Sequence, residues 1–204
     1  MDEHLFYNGA RFFDKHGIST LRFNLYDWQD DARKLIDCTL ETHAQDLDTV
    51  VAYLRKKNVK RITAVGHSYG GPTILLSRRK DFEGVVLWDP AYDSYETLFK
   101  NNKHIKEINL YRIEGGYEVL VGKAMHEESK EVDWDNLIQH IRVPVKIICA
   151  GKGALIAGGK KYYKQANNPK EFSIIDGANH NFFEEGTLEK LLDGTLAWAQ
   201  SHIS

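Results

Sequence analysis

Short, nearly continuous apolar runs punctuate this chain. Arg61-Ile62-Thr63-Ala64-Val65 and Gly84-Val85-Val86-Leu87-Trp88 each read as a buried strand, and Val145-Lys146-Ile147-Ile148-Cys149-Ala150 and residues 171–175 as further strands. Between them, apolar residues recur at helical spacing. Residues 5–16 carry Leu5, Phe6, Ala10, Phe12 and Phe13 and stop at Gly17, a residue suited to a helix C-cap. Residues 43–58 set Leu47, Val50, Val51 and Leu54 on one face, and further helices are predicted over 159–167 and 188–201. Residues 19–26 alternate as one more strand, and residues 27–42, polar and irregular, predict a loop with a helical turn.

Strands alternating with helices predict an α/β fold, with a mostly parallel sheet covered by helices on both faces. Residues 91–142 break that rhythm. Within them, residues 111–121 predict a hairpin turning at Gly115-Gly116 and flanked by polar helical stretches. We read 91–142 as an insertion, a cap over the carboxyl edge of the sheet. Its Tyr92, Tyr95, Leu98, Phe99, Tyr111 and Tyr117 either wall an acyl or aromatic pocket or pack the insertion onto its domain.

A length of 204 residues suits one domain with one substantial core. The net charge of -2 gives no electrostatic case for nucleic acid, which wants a basic face, and the scattered charges argue against a polybasic membrane patch. No apolar run approaches the ~20 residues that span a bilayer, and the acidic start, Met1-Asp2-Glu3-His4, is unlike a signal peptide. Cys38 and Cys149 lack metal-type spacing and read as free thiols, so the expected home is the cytoplasm. Nothing in the sequence decides between a monomer and a homo-oligomer.

The chemistry gathers at Val65-Gly66-His67-Ser68-Tyr69-Gly70-Gly71. This fits Gly-x-Ser-x-Gly, in which a serine sits on a sharp strand-to-helix turn with its hydroxyl exposed. The flanks agree: a buried strand precedes it, and residues 72–79 read as a helix with Pro72 in the first turn, where its missing N–H costs nothing. The alternative is a strand-turn-helix whose serine only caps the helix. Near the C-terminus, Gly177-Ala178-Asn179-His180-Asn181-Phe182 puts a histidine after the last strand and before the last helix. Through these two segments the sequence resembles the α/β-hydrolase family of esterases and lipases.

The resemblance implies a serine hydrolase acting on a small carboxylic ester or thioester, with no cofactor and no metal. Ser68 would be the nucleophile, His180 the base, and the backbone N–H of Tyr69 an oxyanion-hole donor. The usual family place for the acid follows the strand ending at Ala150, in a Gly-x-x-Asp turn, but here the turn reads Gly151-Lys152-Gly153-Ala154. Alanine cannot orient an imidazole. Asp89, in Leu87-Trp88-Asp89-Pro90-Ala91, resembles the Asp-Pro-Ala setting in which pancreatic-type lipases carry the acid, with Asp176 and Asp93 as fallbacks. The order Ser68, Asp89, His180 is the one this fold uses. The family's first strands, and the second oxyanion donor they bring, have no counterpart before residue 5. The loop around residues 2–6 is the nearest candidate for that donor, and the sheet is expected to be truncated or completed by a partner chain.

Other readings of the same residues are a serine peptidase using the same triad and a non-catalytic binding domain with this fold. Residues 154–161 only superficially match a phosphate-binding loop, since Ala154 replaces its first glycine and Lys161 its final serine or threonine. The nine histidines are dispersed, with no His-x-x-x-His pair to suggest a metal.

Overall fold

A computed structural model describes residues 4–96, 102–114 and 118–203. In chain order the elements are α1 (His4–Lys15), α2 (Leu40–Lys56), β1 (Thr63–His67), α3 (Gly70–Leu76), β2 (Gly84–Trp88), β3 (Lys103–Ile105), β4 (Leu110–Glu114), β5 (Glu118–Gly122), α4 (Lys123–Glu131), β6 (Val145–Ala150), α5 (Ile156–Gln165), β7 (Lys170–Ile175) and α6 (Thr187–His202). Four strands form a parallel sheet in the order β1-β2-β6-β7.

The two inner strands explain the layers. Along β2, Val85 and Leu87 join a core cluster with Leu47 and Val51 of α2, Ile74 and Leu75 of α3, and Tyr162 of α5. The alternate residues, Val86 and Trp88, join Leu5 and Phe13 of α1 and Leu191, Leu192, Leu196 and Trp198 of α6. A period of two thus sends successive side chains into two separate apolar layers. Each fully buried aliphatic side chain contributes roughly 1.5–3 kcal/mol through removal of apolar surface from water. The helix start at α2 has a local cause: the Thr39 hydroxyl accepts the Thr42 N–H at 3.0 Å, and Thr42 Oγ1 accepts the Thr39 N–H at 2.9 Å, which satisfies two donors at once.

Residues 19–26 correct the sequence reading, for they run as coil. An alternating segment becomes a strand only beside a ladder partner, and among the described residues none pairs with it. Phe23 packs instead on the α2 side of the core. Among these residues β1 is likewise an edge strand, paired only with β2. No described helix is long and apolar enough to cross a membrane.

The strands β3, β4 and β5 form a three-stranded antiparallel sheet in that order, and β5 runs into α4. The two long strands are the predicted hairpin; β3, reading Lys-His-Ile with no alternation to mark it, is an addition. The predicted Gly115-Gly116 turn, Tyr117, Leu98 and Phe99 lie outside the described residues. Tyr95 and Tyr111 pack against a small core of Cys38, Ile113, Val121 and Met125. Tyr92 is buried in the main core, bonded to Asp135 and edge-on to Tyr162 at 4.9 Å. All three tyrosines thus make packing contacts.

His43 in α2 is 3% exposed, and neither ring nitrogen has a hydrogen-bond partner among the described residues. Burial pulls its pKa down to about 4, with the Arg33 charge adding to this and Asp46 opposing it. Because the folded value lies below the unfolded one, the unfolded chain takes the proton first as pH falls. The stabilising effect of a neutral His43 is complete above pH ~6.5 and is lost between there and pH ~4, an effect on the order of 3 kcal/mol. Urea unfolding of wild type and His43→Leu at pH 7 and pH 5 checks this: the variant is expected to lose less stability over that interval than the wild type.

Candidate active site

Three loops meet at the carboxyl edge of the sheet, where open α/β folds place their ligands. The first is the elbow. Ser68 adopts φ 52°, a left-handed conformation uncommon for a residue with a Cβ. Three backbone bonds hold it there: Ser68 N–H donates to the Trp88 carbonyl at 3.0 Å, and the Ser68 carbonyl accepts from Ala91 N–H at 3.0 Å and Gly71 N–H at 3.1 Å. Gly66 is required by close approach. A Cβ there would lie 2.4 Å from the Gly70 carbonyl oxygen and 2.8 Å from Ile74 Cδ1.

The second loop leaves β2. Asp89, with no exposed surface, adopts φ 39° and donates its N–H to the Ile148 carbonyl at 2.7 Å. Its Oδ1 accepts the Ala150 N–H at 3.1 Å, and its Oδ2 accepts from His180 Nδ1 at 2.6 Å. The turn after β6 passes close by, since a Cβ on Gly153 would meet Asp89 Oδ2 at 3.0 Å. That turn carries Ala154, and the carboxyl group that meets His180 comes from the end of the neighbouring strand β2.

The third loop joins β7 to α6 and carries His180, whose side chain is 36% exposed. Fully buried Ala178 and Phe182 anchor it. Glu184 accepts the Asn179 N–H at 2.8 Å, and Asn179 Oδ1 accepts from the N–H groups of Asn181 and Phe183. That bond to the Asn179 N–H is the main cause holding the Glu184 carboxyl below its usual pKa. The first turn of α1 lies against the same loop, with the His4 and Phe183 rings 5.0 Å apart.

His180 and Asp89 are therefore joined directly, and the Ser68 backbone is bonded to Trp88 and Ala91, which flank the Asp89-Pro90 pair. In a neutral ring whose Nδ1–H is donated to Asp89, Nε2 is the acceptor. Among the described residues the Ser68 hydroxyl makes no hydrogen bond to His180, a contact that commonly tightens only when substrate is bound. Tyr69 follows the serine, its ring wedged between the main core and the small core under β4 and β5. Burial drives its phenol pKa above the usual value. The sequence reading missed His67: its Nε2 donates to the His180 carbonyl at 2.8 Å, and the two rings lie 4.5 Å apart. The only signal was its place inside the motif. Asp93 and Asp176 make no bond to His180 among the described residues. Residues 4–6, in the segment considered for a second oxyanion donor, form the first turn of α1, and residues 2–3 lie outside the described set. No group of three or more His, Cys, Asp or Glu side chains among the described residues could hold a metal ion.

No protein-family model and no curated protein matches the chain. Many solved structures do. Est1E from Butyrivibrio proteoclasticus with ferulic acid bound is 17% identical with a TM-score of 0.82, the match covering 98% of this chain and 84% of that one. The esterase domain of a Rhodothermus marinus protein is 19% identical with a TM-score of 0.74, over 98% and 81%. Alpha/beta hydrolase domain-containing protein 10 from mouse is 16% identical with a TM-score of 0.76, over 98% and 85%. The chain has the α/β-hydrolase fold.

The glycines of the elbow differ in what they tolerate. Gly66→Ala drives a Cβ into backbone and is expected to cost at least about 2 kcal/mol of stability. At Gly70 an added Cβ meets nothing within 4 Å, and Gly70→Ala is expected to stay within about 0.5 kcal/mol of wild type. Urea denaturation of the two variants side by side checks the contrast.

Proposed function

We propose that the protein is a serine hydrolase that cleaves a small carboxylic ester or thioester through an acyl-serine intermediate. The observation that carries this reading is the 2.6 Å bond between buried Asp89 and His180, next to a serine held at positive φ on a strand-to-helix turn. Backbone strain persists where surrounding structure over-determines it, and both the serine and the acid are among the non-glycine residues at positive φ.

In this reading His180 Nε2 takes the Ser68 proton as Oγ attacks the acyl carbon, then passes it to the leaving alcohol or thiol. Water then attacks the acyl carbon with His180 again as base; the bond to Ser68 Oγ breaks, His180 returns the proton to Oγ, and the carboxylic acid leaves. Asp89 fixes the Nδ1–H tautomer and stabilises the imidazolium that forms in each half-reaction. The Tyr69 N–H, at the start of α3, donates to the tetrahedral oxyanion, an interaction worth about 3 kcal/mol where such donors have been removed. Ester substrates also fit the company the fold keeps, which includes an esterase domain and a monoacylglycerol lipase among its solved neighbours.

The test is steady-state hydrolysis of p-nitrophenyl esters of rising acyl length, with a feruloyl ester added because one neighbour binds ferulic acid. Ser68→Ala and His180→Ala are expected to abolish turnover, and Asp89→Asn to lower kcat by roughly 10³- to 10⁴-fold through the wrong imidazole tautomer. Wild-type protein inert toward the whole panel, or an active Ser68→Ala variant, contradicts the proposal and favours a binding domain with this fold.

A further inference from the structure

His67 precedes the candidate nucleophile and is the last residue of β1. Its Nε2 lies 2.8 Å from the backbone oxygen of His180, a residue 113 positions later in the chain. A carbonyl only accepts, so Nε2 carries a proton and donates it. Burial, followed by the His180 charge, lowers its pKa to about 4, with the His180 bond and the Asp89 charge opposing the shift. Across the neutral range it therefore stays uncharged beside a partner that must gain and lose a proton. The rings are 4.5 Å apart and tilted by 34°, so the His180 imidazole rests partly on the His67 face.

His180 needs such a support. Its side chain is 36% exposed and is not caged by packing. Two bonds fix it, one from Nδ1 to Asp89 and one to its own carbonyl from His67. The first sets the direction of the ring. The second sets where the main chain stands relative to the strand that carries Ser68. We infer that His67 is a positioning residue, tying the loop of His180 to the elbow so that the imidazole keeps its distance from both Ser68 and Asp89 without adding a charge. This rests on reading Ser68 as nucleophile and His180 as base.

Two variants separate the donor from the ring. His67→Phe keeps the aromatic face and loses the N–H; His67→Gln keeps an amide N–H of similar reach. The readouts are kcat and KM on the best ester of the panel, and the downfield proton resonance of His180 Nδ1–H, which reports the bond to Asp89 without turnover. In His67→Phe, kcat is expected to fall by about 10- to 100-fold with KM within about threefold, because small displacements of a catalytic group are expensive. Its Nδ1–H resonance should broaden or vanish. His67→Gln is expected to restore the resonance and to bring kcat within about fivefold of wild type, since the lost bond is remade. If His67→Phe keeps the resonance and full kcat, or if His67→Gln is as impaired as His67→Phe, the inference is overturned. Should His67→Phe fail to fold, the Gln variant decides: loss of its resonance overturns the inference, and retention supports it. Should the wild type hydrolyse no ester, the resonance still tests the tie, so the two readings fail separately.

Discussion

A carboxyl group with no contact with water has to be satisfied by the protein, and Asp89 is such a group at the carboxyl end of an inner strand. It takes one donor from the backbone of β6 and one from the imidazole of His180. Those two bonds bring the end of β2, the end of β6 and the loop after β7 to one point. Leaving a buried polar group without a partner costs about 1 to 3 kcal/mol, so the arrangement is held by the penalty for breaking it as much as by the bond itself. The positive φ of Asp89 is tolerated for the same reason, being fixed on one side by the Ile148 carbonyl and on the other by the side-chain bonds.

The elbow is assembled around that point. Ser68 hangs from Trp88 and Ala91, the residues flanking Asp89 and Pro90, so its backbone follows wherever the acid is held. Its two neighbours face opposite ways: His67 reaches the His180 loop, and the Tyr69 ring reaches the core beneath the antiparallel sheet. A single turn thus touches every part of the molecule that the proposed reaction uses. The motif admits no Cβ at Gly66, where the Gly70 carbonyl and Ile74 close in, while the space beside Gly70 is open.

Much of this was legible in the residues because it is local. Continuous apolar runs marked the buried strands, the helical periods marked α1, α2, α5 and α6, and the elbow declared itself through glycine spacing. The long-range choice of Asp89 over the turn at Ala154 came from a resemblance, since nothing in a linear reading says which strand end faces an imidazole 91 residues on. Residues 19–26 misled because alternation signals only a capacity to pair, and pairing needs a neighbour. β3 was silent because three residues carry no period. His67 occupies a position the motif leaves open; its bond is to a backbone carbonyl, and backbone acceptors leave no trace in side-chain patterns.

The central claim is that Ser68, His180 and Asp89 act as one unit. Mapping the covalent adduct of a fluorophosphonate by peptide mass spectrometry, as a function of time, tests it most directly. The account predicts a single adduct on the Ser68 peptide, formed at least about 10³-fold more slowly in Asp89→Asn. An adduct on another serine, or equal rates of labelling in the two proteins, would contradict it.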